Sequence, residues 1–259
     1  MLGMILGSHS QAFYMGEGGK ARYLGNSKTP VHKRVCKLCG EDCPVWKDFQ
    51  WTPPRALYQQ VAERTGRRVI IDSTKNDDWI TERVAETRAS GGQPTLFMLL
   101  RDGRAVVNSR LRKYPDRDPE QQIRQWIEQI QRSQALYARF DGPKMRLHYE
   151  HLAAEPDTVV RQACDVLGLD FEPAMLQFHT AEHHPLGGNS GPQYMVAKQR
   201  FTDPEQAFVT LNPKSRQFYD AETQPIRLDL RWNEEMTAEN IRMFERIAGE
   251  FNQQMMSMD

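Results

Sequence analysis

A chain of 259 residues, 39% of them hydrophobic, is long enough for one large α/β domain or two small ones with a real core. Lysine plus arginine and aspartate plus glutamate both total 34, so no overall field points to nucleic acid or an anionic membrane surface as partner, and any anion site must be built locally. No apolar run approaches the ~18 residues of a membrane span, and the first residues lack the basic stretch of a signal peptide, so the chain reads as cytoplasmic.

In chain order, residues 1–7 read as an apolar helix, 56–65 as a second helix and 68–72, RVIID, as a buried strand. A helix over 77–89 follows, then a strand over 95–100 with a helix over 104–112. A long polar helix occupies 119–140 and a third strand, MRLHY, 145–149. Further helices are expected over 159–167 and 173–178. The stretch 180–225 carries Gly187, Gly188, Gly191 and several prolines and reads as a loop-rich cover. A last amphipathic helix over 237–251 turns Ile241, Phe244, Ile247 and Phe251 to one side. Strands separated by helices of this length argue a single α/β domain over 1–259, a parallel β-sheet flanked by helices, with ligands beyond the strand C-termini. Asp72, Arg101 and Tyr149 fall at such ends.

The segment from Thr95 to Lys113, TLFMLLRDGRAVVNSRLRK, has the densest pattern. Asp102 is a competent N-cap, Gly103 allows a sharp turn, and Arg101 stands at a strand end beside a helix N-terminus whose N–H groups favour an anion. Ser109 shares a helix face with Ala105 and Arg112. Two readings stand on this pattern alone: a phosphate site, or an ordinary strand-to-helix connection with a solvated basic face.

Four segments in order then resemble the sulfotransferases that use 3′-phosphoadenosine 5′-phosphosulfate (PAPS), in particular the bacterial branch. LLRDGRAVVNSR is similar to the family's 3′-phosphate motif, which implies that Arg101 and Ser109 hold that phosphate. LHYEHLAAEP is similar to the strand followed by Y-E-D-L, with Tyr149 near the adenine and His151 where the family has Asp. VLGLDFEP, residues 166–173, resembles the F-L-G-L segment. HPLGGNSG and PIRLDLRW resemble the late H-x-L-G-G-N and D-x-R-W elements, which implies that Gly188 and Asn189 meet a phosphate or ribose. The resemblance implies a P-loop-NTPase-like sulfotransferase fold. The family's first strand and its glycine-rich loop for the 5′-phosphosulfate have no counterpart in these residues, and the sequence reads as beginning just past that loop.

The implied reaction moves a sulfuryl group from PAPS to a hydroxyl or amine of a small-molecule, carbohydrate or lipid acceptor, giving 3′-phosphoadenosine 5′-phosphate (PAP). It needs in-line positioning, cations or N–H groups on the leaving phosphate in place of a metal, and a base at the acceptor. Glu17 in YMGE is the first choice for that base, since related enzymes place a catalytic Glu shortly after the corresponding helix. His9 is the alternative, and Lys75 in IIDSTKN is the candidate for a sulfate oxygen or substrate. His183 and His184 beside the GGN are either a cover over the cofactor or solvated, and Trp232 either covers the site or anchors a core. Other readings of the chain are a non-catalytic PAP-binding homologue and a kinase-like phosphotransferase, though no G-x-x-x-x-G-K-[ST] loop occurs for the latter.

Cys36, Cys39 and Cys43 form a C-x2-C-x3-C cluster with His32 upstream, in a segment, 30–54, that reads as a Cys-containing, acceptor-side insertion. Zinc ligation and reduced, packed thiols are both open, packed thiols being the more economical for a cytosolic chain without a second C-x-x-C. Trp46, Phe49 and Trp51 there suit either substrate contact or a local core.

Overall fold

In the computed structural model, which describes residues 1–221 and 224–258, the strands form two parallel pairs. β1 (Ala12–Gly16) runs beside β2 (Val69–Asp72), with Ala12 opposite Val69. β3 (Leu96–Leu100) runs beside β4 (Lys144–His148), in register from Leu96 opposite Lys144 to Leu100 opposite His148. Parallel neighbours require a long crossover. Helix Leu57–Thr65 lies in the first, and helices Gly103–Lys113 and Pro119–Arg139 lie in the second. The expected α/β class with parallel strands is therefore present, as two separate pairs among the described residues. The chain divides into two compact units, one of residues 1–94 with 160–225, the other of 95–159 with 226–259.

In the second unit, β3 delivers Met98 and Leu100 to a cluster with Val107, Ile123, Trp126, Phe244, Ala248 and Met255. Helix Ala238–Met256 supplies the last three, Phe244 fully buried and Ile247 and Phe251 packed partly against it. Gly103 opens its helix because nothing larger fits: a Cβ there would stand 2.5 Å from Trp126 and 2.7 Å from Phe244. The residue serves close packing, and its backbone φ is not in the left-handed region, so the turn expected of it is not what requires glycine.

The first unit is built around helix Leu2–Gly7, whose Met4, Ile5 and Leu6 are buried together with Phe13 and Met15 of β1. β1 was not expected from the sequence. Its five residues, AFYMG, are all buried and so show no alternation, and the run is short enough to pass for loop between His9 and the glycines after it. The 180–225 stretch also differs from the expected loops, since it holds helices Ser190–Arg200 and Pro213–Asp220. Pro192 and Pro213 lie in first turns, where no intrahelical N–H bond is lost, and the Asn212 side chain caps the second helix through the N–H of Ser215. No helix among the described residues is long and apolar enough to cross a membrane.

Candidate functional site

In the second unit, Arg101 and Tyr149 immediately follow the C-terminal ends of the neighbouring strands β3 and β4, and this adjacency brings them together. The Arg101 guanidinium stacks over the Tyr149 ring, 4.3 Å from its centroid. The Tyr149 hydroxyl donates to the Arg227 carbonyl (2.7 Å) and accepts from the Asp229 N–H (3.0 Å), fixing the ring against the segment that precedes Trp232. Arg101 donates to the Asp229 carbonyl oxygen at 2.9 Å, and its terminal nitrogen lies 3.4 Å from the Asp229 carboxylate. Its Nε is buried without a hydrogen-bond partner. Burial would raise the Asp229 carboxyl, but hydrogen bonds from Arg231 and the charges of Arg231 and Arg101 outweigh it and hold the group well below the usual carboxylate range.

Asp229 is a residue that sequence reasoning quoted within PIRLDLRW without giving it a role. Its signal was the spacing to Arg231, which reaches back to it at 2.7 Å.

The helix N-terminus beside Arg101 differs from expectation. Its leading N–H groups are already satisfied: Asp102 N–H donates to Glu150 (3.0 Å), Gly103 N–H to Asn252 (2.8 Å) and Arg104 N–H to the Asp102 side chain (2.8 Å). Asp102 acts as the expected cap, yet no free donors remain at these positions for an anion. Ser109 is exposed on the same helix, six residues beyond Gly103 and so about 9 Å along the axis. Trp232 is half-buried with the Arg104 guanidinium 4.2 Å over its ring. A surface depression of about 600 Å³, bordered by Arg104, Glu245, Asn252 and Met256, does not include Arg101 or Tyr149.

In the first unit, Glu17 follows the end of β1 and forms an ion pair with Lys20 at 2.9 Å, both side chains about one-third exposed. Sequence reasoning passed over Lys20, although a lysine three residues after a candidate base on one turn can be read from spacing. The backbone of Gly187 lies directly on this pair: a Cβ at 187 would stand 2.5 Å from Lys20 Nζ and 2.8 Å from Glu17 Oε2. The Leu186 N–H donates to the Met15 carbonyl at 2.9 Å, which ties the GGN segment to β1. Gly188 is half-buried near the Tyr14 hydroxyl, and Asn189 is exposed at the start of helix Ser190–Arg200 without a capping bond.

Asp72, at the end of β2, is a hydrogen-bond hub. One carboxylate oxygen accepts from Gly18 N–H, Thr74 N–H and the Thr74 hydroxyl at 2.8, 2.7 and 2.6 Å. The other accepts from the Tyr58 hydroxyl and the Trp79 indole, each at 2.8 Å. Asp72 therefore holds the turn after Glu17 in place, while Lys75, three residues on, is exposed.

His9 is buried, its Nδ1 accepts the Gln11 N–H (2.9 Å), and its Nε2 then donates to the Asp170 carbonyl (2.8 Å). With both ring nitrogens engaged it has no lone pair to offer an acceptor. His183 is buried against Ser8 and the Phe178 carbonyl, so neither it nor His184 is a solvated loop residue. His184 faces the cysteines, and its Nδ1 lies 3.2 Å from Cys39 Sγ and 3.4 Å from Cys43 Sγ. His32, expected near them, is exposed on helix Val31–Arg34. Trp46 and Phe49 form a local core with Phe13, their rings edge to face at 5.3 Å, and Trp51 packs on Trp79 at 5.8 Å.

Residues 93–173 match the model of the sulfotransferase family, a span that contains Arg101, Ser109, Tyr149 and the 166–173 segment. Among solved structures, the sulfotransferase domain from the Synechococcus PCC 7002 olefin synthase superposes with a TM-score of 0.53 at 18% identity, covering 95% of this chain and 89% of that one. The sulfotransferase domain from the curacin biosynthetic pathway gives a TM-score of 0.48 at 19% identity, over 96% of this chain and 92% of that one. No curated protein matches the sequence. The fold is that of sulfotransferase domains, as the four sequence segments implied.

Proposed function

We propose, with the sulfotransferase match of residues 93–173 as the premise, that the chain is a PAPS-dependent sulfotransferase acting on a hydroxyl or amine acceptor. The observation that carries this reading is the pairing of Arg101 with Tyr149 at two adjacent parallel strand ends: a guanidinium fork beside an aromatic face suits a phosphate next to an adenine. Ser109 adds a hydroxyl to the same ligand from the following helix, and Gly188 and Asn189 keep the role the resemblance implies. Residues 1–259 are one sulfotransferase-like domain in this reading, with 30–54 on the acceptor side.

Glu17 is the base. The acceptor oxygen bonds to sulfur as the bond from sulfur to the 5′-phosphate oxygen of PAP breaks, and the acceptor proton passes to the Glu17 carboxylate. Lys20 holds that carboxylate in an ion pair, and Lys75 meets a sulfate oxygen. PAPS labelled in its sulfuryl group, offered with a panel of carbohydrate, lipid and small hydroxyl acceptors, should give labelled product, and Glu17→Gln should lower turnover by about 10²-fold or more with little change in the KM for PAPS. Labelled product from Glu17→Gln at the wild-type rate assigns the base elsewhere, and no product from any acceptor contradicts the enzymatic reading.

A further inference from the structure

The cysteine cluster and His184 converge in a way that the transfer reaction does not use. Cys36 and Cys43 are fully buried, His184 is 6% exposed, Cys39 is half-buried, and no disulfide joins them. Three sulfurs and the imidazole Nδ1 all lie within 4.8 Å of one another. Zinc–sulfur and zinc–nitrogen bonds of about 2.3 and 2.0–2.1 Å in a tetrahedron put neighbouring ligand atoms about 3.5–3.8 Å apart. The gaps of 3.2 and 3.4 Å from His184 Nδ1 to the Cys39 and Cys43 sulfurs are close to that spacing.

Two independent features prepare these groups as ligands. The first is the His184 tautomer. Its Nε2 lies 3.1 Å from the Glu182 carboxylate, which can only accept, so Nε2 carries the proton and the Nδ1 lone pair points at the sulfurs. The second is the backbone around the sulfurs. The Cys39 N–H donates to Cys36 Sγ at 3.4 Å, and the N–H groups of Val45 and Trp46 donate to Cys43. Gly40, at φ +69°, closes the turn through its own N–H to the Cys36 carbonyl at 3.1 Å. Such N–H donors suit thiolates.

We propose that Cys36, Cys39, Cys43 and His184 form a closed, structural zinc site. The three cysteines bind as thiolates, releasing three protons, and the imidazole as a neutral ligand. With all four positions taken by protein the ion has no catalytic vacancy, so this site is compatible with a metal-free transfer reaction. It clasps the 36–46 segment to the 184–188 segment, which the Lys37 N–H to Pro185 carbonyl bond (2.8 Å) and the Trp46 indole to His184 carbonyl bond (2.6 Å) already join. Through Gly187, the clasped segment reaches the Glu17–Lys20 pair.

The full chain, purified without chelator, should carry stoichiometric zinc by elemental analysis. Its cobalt-exchanged form should show tetrahedral ligand-field bands together with thiolate-to-cobalt charge transfer. Cys39→Ser should weaken zinc binding by more than about 100-fold, whereas Cys164→Ser, at the remaining cysteine, should leave it unchanged. Because a ligand variant can simply unfold, Glu182→Gln gives a second reading: its side chain is 67% exposed, so the fold should persist while chelator competition shows zinc held about tenfold more weakly. A folded, zinc-free protein with four titratable thiols or with a disulfide inside the cluster overturns the proposal, as does zinc retained at wild-type affinity in Cys39→Ser. None of these readouts depends on PAPS or on sulfate transfer.

Discussion

Arg101 joins two neighbouring groups, since it touches Tyr149 and Asp229 at once. Because the charged form of Asp229 is favoured by the fold, this carboxylate contributes stability that is complete above its unfolded value of about 3.9 and is lost as pH falls further, when the unfolded chain takes up the proton first. Unfolding of the wild type at a series of acidic pH values should therefore show stability dropping below about pH 4, and Asp229→Asn should remove on the order of 2 kcal/mol at neutral pH along with most of that slope. An unchanged slope in the variant would mean that other carboxylates set the acid limit. The single-residue reading from sequence identified Arg101 and Tyr149 through their strand-end positions, which period and composition reveal. It could not find Asp229 as the partner, because that contact spans 128 positions and is made by the carbonyl oxygen as much as by the side chain.

At the scale of elements, the strand-to-helix junction after β3 is fixed by a cap and by a glycine whose role is packing. Gly103→Ala should cost about 1–3 kcal/mol in denaturant midpoint analysis, since the new methyl must displace the Trp126 and Phe244 rings. A neutral result would show that these rings shift freely. Element types were legible wherever the apolar spacing ran long enough: helix Asp77–Ala89 has the expected bounds and helix Pro119–Arg139 differs by one residue. The failures share a physical origin. β1 is buried on both faces and too short to show a period, and the prolines of 180–225 open helices where they were read as loop signals. In the thiol–imidazole cluster the three cysteines and a zinc reading were legible from spacing, whereas His184 was not, since it lies 141 residues beyond Cys43 and the nearer His32 is the one that spacing suggests.

For the molecule as a whole, a zero net charge means that the proposed anionic donor would be drawn in by local groups such as Arg101 and not by a long-range field. The fold is that of sulfotransferase domains and residues 93–173 match that family's model, whereas the acceptor leaves no comparable mark in either. In the proposed reaction the chain reads the 3′-phosphate of its donor through Arg101. Calorimetric titration with PAP and with adenosine 5′-phosphate, on wild type and Arg101→Ala, measures it most directly. Wild type should bind PAP at least about tenfold more tightly than adenosine 5′-phosphate, and Arg101→Ala should abolish the difference, a change of about 1.4 kcal/mol or more. Equal binding of the two nucleotides by the wild type, or an undiminished preference for PAP in Arg101→Ala, would contradict it.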